Sequence, residues 1–465
     1  MEKKNAWEKY QGNKKDKVFA FAQDYKTFIS TCKTERECVT ELIAQAKEAG
    51  FKDLKQVIEK GKKIKEGSKL YVQNMGKVLI LFVMGKKPLT AGVNFLGAHV
   101  DSPRLDIKQN PLYEDSELAL LDTHYYGGVK KYQWVTLPLA LHGVVVKKDG
   151  TVIPITIGEK EEDPVFGITD LLIHLSAEQL EKKAAKVIEG ESLDILVGSL
   201  PGFPSEKEKE KAKDTVKANV LQLLKEQYNI EEDDFLSAEI EAVPAGAARD
   251  FGFDRSMVTG YGHDDRVCAY SSFAAILEAG VCDKTSACIL VDKEEIGSVG
   301  ATGMDSKFFE YAMAELLEAT EGFSQIAFNR MMSASNMISS DVSAAYDPLY
   351  PAVMEKKNTA YLGKGFVFNK YTGRKGKGMS NDANPEFIAL IRKIMDKHEV
   401  SFQTAELGKV DAGGGGTIAS EMAKYNMQVI DGGVAVLNMH APWEIISKVD
   451  LYEAKRGYVA FLKEA

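Results

Sequence analysis

His99, Asp264, Glu295, Asp341 and His440 offer the mixture of donors that a two-metal hydrolytic centre needs. They lie in FLGAHVDSP, GHDDRVCAY, ILVDKEEIGSVG, ISSDVSAAYDP and VLNMHAP. Carboxylates with two imidazoles and no thiolate suit Zn2+, Co2+ or Mn2+ rather than a structural cysteine-type zinc site. Two such ions about 3.5–4 Å apart activate a water and clamp a tetrahedral intermediate. Glu294 adds a base. Two adjacent glutamates at the end of the apolar run ACILVDK are costly unless a cation is near. Their side chains diverge, so Glu295 can bind metal while Glu294 faces a water.

Each piece alone has a plainer reading. His99 is one of seven histidines, and a lone histidine is usually structural. Asp101 shifts the balance, because a carboxylate two residues on can accept the other imidazole N–H and fix the tautomer. It could also be a turn residue before Ser102-Pro103. Asp264-Asp265-Arg266, taken alone, reads more readily as a surface turn with an internal ion pair. As a site, one aspartate would bridge two metals and its neighbour would hydrogen-bond nearby backbone. Asp341, after Ser339-Ser340, also reads as a helix N-cap. The four glycines at 413–416 lack the Gly-Lys-Ser/Thr ending of a phosphate loop, which argues against nucleotide.

These residues must be held by alternating strands and helices. KVLILFVMG and GVNFLGAHV read as buried strands, the second ending at His99. Ligand sites in open α/β sheets collect at that edge. Helices are expected near 5–30, 35–48 and 52–60, after GHDDR, and near 305–320 and 384–399. The last helix opens at SKVDLYEAK, with Ser447 and Asp450 as a capping box. From 110 to 250 the texture changes. WVTLPLALHGVVVKKDGTVIPITIG alternates and turns at Asp149-Gly150 like a hairpin. PGFPSEKEKEKAKDTVKANVLQLLKEQY reads as a solvated helix, and LSAEIEAVPAG as one more strand. The fold class is therefore α/β, with 1–109 and 251–465 as one discontinuous domain and 110–250 as an insert of mixed character.

Bulk numbers fit this picture. The 465 residues carry 59 Lys and Arg against 68 Asp and Glu, a net charge of −9. That disfavours nucleic acid as a partner. No apolar run reaches the roughly 18 residues of a membrane span. Five scattered cysteines and a charged start point to reduced thiols and a cytoplasmic protein.

The ordered set His-x-Asp, Asp-Asp-Arg, Glu-Glu-x-Gly-Ser, Ser-x-Asp, Gly-Gly-Gly-Thr-Ile and Met-His resembles the M18 metallo-aminopeptidases over nearly the whole chain. The resemblance implies a zinc-peptidase-like mixed sheet flanked by helices, with an inserted, mainly β, dimerisation domain. It implies two divalent ions, zinc above all, with His99 and Asp341 on one, Glu295 and His440 on the other, and Asp264 bridging. Glu294 would activate the metal-bridging water and Asp101 would orient His99. Peptides with a free N-terminus would be substrates. Dimers would assemble into a dodecamer in which His174, in LLIHLS, reaches a neighbouring active site. The chain departs from the family after Asp341, where Ala344 and Asp347 replace two histidines. Asp347 would repel an acidic substrate side chain or help hold the α-ammonium, which favours a neutral or broad preference. Lys370 and Arg374 are the nearest basic candidates for reading an acidic side chain. A deacylase or carboxypeptidase on a related site, and a non-catalytic shell protein, are the rival readings.

Overall fold

Val78–Val83 is buried at all six positions and Val93–His99 at all seven, so both strands need cover on two faces. The computed structural model, which describes residues 4–202 and 213–465, supplies it. A nine-stranded mixed sheet runs in the order 52–53, 69–74, 78–83, 285–291, 93–99, 336–339, 428–433, 366–369 and 402–405. Side chains alternate across it. Leu79, Leu81 and Leu96 pack with Phe273 and Tyr458 on one side. Ile80, Phe82 and Phe95 pack with Phe309 and Met313 on the other.

Register sets the position of the site. Val93–His99 pairs in parallel with Thr285–Val291, putting His99 opposite Val291. It also pairs in parallel with Asn336–Ser339, putting Gly97 opposite Ser339. Three strands thus end together, and the loops carrying Asp101, Glu294-Glu295 and Asp341 leave from one edge. A five-stranded sheet of 249–251, 257–260, 444–447, 435–437 and 343–344 completes this larger unit, which comprises residues 1–101, 248–439 and 444–465.

Residues 102–247 and 440–443 form a second unit. Its six-stranded antiparallel sheet runs 152–157, 139–146, 238–244, 104–115, 118–126 and 195–198. The hairpin expected at Asp149-Gly150 joins Val146 to Val152, with Gly150 at φ +87°. The unit starts earlier than residue 110 because Arg104–Asp115 pairs along Leu118–Tyr126 as a hairpin.

Three local expectations are corrected. The first helix is broken: Ala6–Lys9 is a 3-10 turn, and the α-helix is Asn13–Thr31. Gly12, at φ +56°, takes the left-handed backbone between them. The solvated helix is seen over Thr215–Tyr228, and its expected start at 203–212 lies outside the described residues. Ser447 makes no capping bond. Asp450 instead accepts the N–H groups of Gly363 and Gly365, each at 2.7 Å, so its carboxylate ties down a distant loop. A capping box does form at Thr34 and Glu37, opening the helix Glu35–Glu48. All five cysteines are free and buried. Among the described residues no helix is long and apolar enough to cross a membrane.

Candidate active site

His99 ends its strand almost fully buried, at 2 % exposure. Its Nδ1 lies 3.0 Å from the Asp101 carbonyl oxygen and 3.3 Å from Asp101 Oδ1. With Nδ1 as the donor, Nε2 carries the lone pair. Nε2 lies 3.3 Å from Asp264 Oδ1 and 3.8 Å from Glu294 Oε2. A lone pair aimed at two carboxylates is repulsive unless the ring is protonated or a cation lies between them.

Asp101 does more than orient an imidazole. Its Oδ1 accepts the backbone N–H of Glu294 and its Oδ2 that of Glu295, each at 3.2 Å. One buried carboxylate thus fixes both the histidine and the Glu-Glu turn, which is a 3-10 turn over Glu294–Ile296. Thr302 donates to Asp292 at 2.6 Å beneath the same loop.

The Asp264-Asp265 pair lies at the start of the helix His263–Ala279, after Gly262 at φ +76°. Both aspartates leave helical backbone angles, and Asp264 N–H is held by Glu444 Oε2 at 3.0 Å. The surface-turn reading fails. Arg266 is fully buried and reaches away from the pair, donating to the carbonyls of Val100 at 3.1 Å and Lys33 at 2.8 Å. Asp265 is 0 % exposed and lies against the His99 backbone and the Cys268 thiol. Sequence reasoning missed that it faces the cluster. Its signal was the doubling of aspartate before an arginine.

Two groups of donors converge on the one imidazole. Ligand atoms of His99, Asp265 and Asp341 lie within 4.8 Å of one another, and so do those of His99, Asp264 and Glu295. Burial alone would push the His99 pKa down. The carboxylates of Asp101, Asp264 and Glu294 outweigh it and hold the ring well above its ordinary value. Burial, with Asp264 beside Asp265 and Asp265 beside Asp341, raises both Asp265 and Asp341 well above the carboxylate range. So crowded a set of acids must take up protons or share a cation. An oxygen-rich set of buried carboxylates converging on one imidazole fits a divalent ion.

The remaining expected residues are not among these two donor groups. His440, half-buried at φ +65°, belongs to the smaller unit, with Nδ1 3.1 Å from the Gly128 carbonyl. His174 is exposed in the 3-10 turn Ile173–Leu175. Asp347 Oδ1 accepts the Leu349 N–H at 2.8 Å. The Lys370 ammonium is taken up by Asp382, which also pairs with Lys377 at 2.9 Å, so Lys370 is not a standing reader of substrate charge.

One neighbour makes the site's scaffold acid-sensitive. His263 is fully buried with Tyr25 Oη 2.7 Å from Nδ1, and burial lowers its pKa to about 3. The unfolded chain, with an ordinary histidine pKa near 6.5, then binds more protons than the folded one between about pH 3 and 6.5. Stability is full above that window and falls on acidification through it, by up to about 1.4 kcal/mol per pH unit from this group. Urea titrations between pH 7.5 and 5 should show the fall in the wild type and a shallower one in His263→Phe. Equal slopes would assign the acid sensitivity to other groups.

The family model described as aminopeptidase I zinc metalloprotease (M18) matches residues 28–462. The chain belongs to the M18 family. It is therefore a zinc metallo-aminopeptidase by class. A probable M18 family aminopeptidase 1 of Clostridium acetobutylicum is 61% identical over 461 residues, covering 99% of this chain and 98% of that one. The crystal structure of an M18 family aminopeptidase from Thermotoga maritima superposes with a TM-score of 0.93 at 43% identity, covering both chains completely. The fold extends to a yeast protein, mApe1, whose structure is that of a dodecamer, at 19% identity and a TM-score of 0.76, covering 96% of this chain and 97% of that one.

Proposed function

We propose that this M18 enzyme removes N-terminal residues from peptides with a free α-amine, using two zinc ions. The observation that carries the proposal is the convergence of His99, Asp264, Asp265, Glu295 and Asp341 at one buried edge, with Glu294 beside them. His99 and Asp341 would hold one ion, Glu295 the other, and Asp264 would serve both. His440 is the remaining ligand by its Met-His motif alone. Zinc bound there would supply Lewis acidity toward the scissile carbonyl and lower the pKa of water. Glu294 accepts the proton of the attacking water and returns it to the leaving amine. Asp101 keeps Glu294 and Glu295 in place through their N–H groups.

Amino-acid release from dipeptides beginning with Asp, Glu, Leu, Met or Lys, each free and N-acetylated, tests this reading. Release is expected only from the free peptides. Release from acetylated peptides alone would mark a deacylase and overturn it. The rank order reports what Asp347 does to acidic residues.

His174 points to assembly. Leu171, Leu172, Ile173 and Leu175 around it are each more than half exposed, a cluster that single chains rarely leave in water. A second copy covers this face and receives His174 at its own active site, in dimers that build a larger closed particle. Leu172→Asp with Leu175→Asp should yield a smaller species in sedimentation and lower kcat/KM at least tenfold. A variant of unchanged size and activity would remove the face from assembly.

A further inference from the structure

Between residues 47 and 69 this acidic chain reverses sign: eight lysines stand against Glu48, Asp53, Glu59 and Glu66, a local charge of +4 in a protein of −9. Lys47, Lys52, Lys60, Lys62, Lys63 and Lys65 are all exposed and form no ion pair among the described residues. The acids are directed elsewhere or outnumbered. Asp53 Oδ1 accepts the Gln56 N–H at 3.2 Å, and Glu59 lies 4.0 Å from Lys55. Glu66 remains in the wall.

The six lysines are not spread over a convex surface. They line two concavities of about 410 and 320 Å3 that share Lys52, Val57 and Lys62. The chain folds back to make them. The end of the helix Glu35–Glu48 brings Lys47, the short helix Leu54–Glu59 leads to Lys60, and the turn beyond Gly61, at φ +59°, presents Lys62, Lys63 and Lys65. Gathering like charges costs folding free energy, and nothing in the hydrolytic site uses them.

We propose that the joined concavities bind an oligophosphate group of several adjacent phosphates. An ammonium is a compact point charge that meets a phosphate oxygen from any direction. A single phosphate would engage one concavity, whereas a chain of three spans the shared wall at Lys52 and Lys62. The rings in the wall, Phe51 and Tyr71, are only 3 % and 5 % exposed. They offer no face for base stacking, which single-stranded nucleic acid would want. The ligand is read by its phosphates, whether inorganic tripolyphosphate or the tail of a nucleoside triphosphate.

Calorimetric titration of the zinc-loaded enzyme at 50 mM salt tests this. Tripolyphosphate should bind at least tenfold more tightly than orthophosphate, and at least tenfold more weakly to Lys52→Glu/Lys62→Glu, whose peptidase activity stays unchanged. The neutralising pair Lys60→Gln/Lys63→Gln should weaken binding in the same direction. Competition by ATP shows that a nucleotide is admitted, and lack of it restricts the site to inorganic chains. Tripolyphosphate binding that is absent, or retained by both variants as chelation at the zinc centre would be, overturns the proposal. So does a short single-stranded RNA that binds and is not displaced by tripolyphosphate.

Discussion

Glu294→Gln should lower kcat by about 10³-fold, within the range general-base removal typically costs, while the protein keeps its fold and its zinc. The amide is nearly isosteric with the carboxylate. Its backbone N–H remains on Asp101 Oδ1, so Glu295 keeps its position one residue on. What disappears is the only function asked of this side chain, accepting a proton from water and passing it to the leaving amine. Glu294 Oε2 lies 3.8 Å from His99 Nε2, at the mouth of the donor cluster rather than inside it. KM should therefore move little. The check is steady-state kinetics on a free dipeptide. A variant with more than about a tenth of wild-type kcat would exclude Glu294 as the base.

Asp264→Asn should be more damaging still, because it removes charge from the carboxylate proposed to serve both ions. Changes to groups that only support a metal ligand typically cost 10–100-fold in metal affinity. Loss of the bridging carboxylate should exceed about 100-fold and leave activity below detection at ordinary zinc concentrations. Asn keeps the size and the backbone contact to Glu444, so misfolding is a poor explanation for the loss. The contrast separates the two roles: Glu294→Gln binds zinc without turning over, and Asp264→Asn does neither. Zinc affinity by competition with a chelating dye reads the difference. An Asp264→Asn protein with wild-type affinity would show that the bridge lies elsewhere.

Much of this site was legible because its parts are local. An apolar run ending in His99, two glutamates closing another run and the serines before Asp341 each announce a strand end, and parallel register brings those ends together. The site's bracing was not legible. Asp101 holds Glu294 and Glu295 across nearly two hundred residues, and Arg266 reaches back to Val100 and Lys33. No local pattern encodes such bonds. That Asp265 also joins His99 and Asp341 was not legible, because a doubled aspartate does not say which members meet the cluster. The capping box at Ser447 failed for a related reason: Asp450 found stronger partners in Gly363 and Gly365. The insert's start was placed late because Arg104–Asp115 follows the His99 loop without a break in composition.

The zinc content of purified wild type and Glu294→Gln, measured alongside their activity on one free dipeptide, tests the central claim most directly. Two zinc ions per chain in both proteins, with turnover only in the wild type, is the expected result. One ion or none in an active wild-type protein, or activity that survives complete removal of zinc by a chelator, would contradict a two-metal centre served by Glu294.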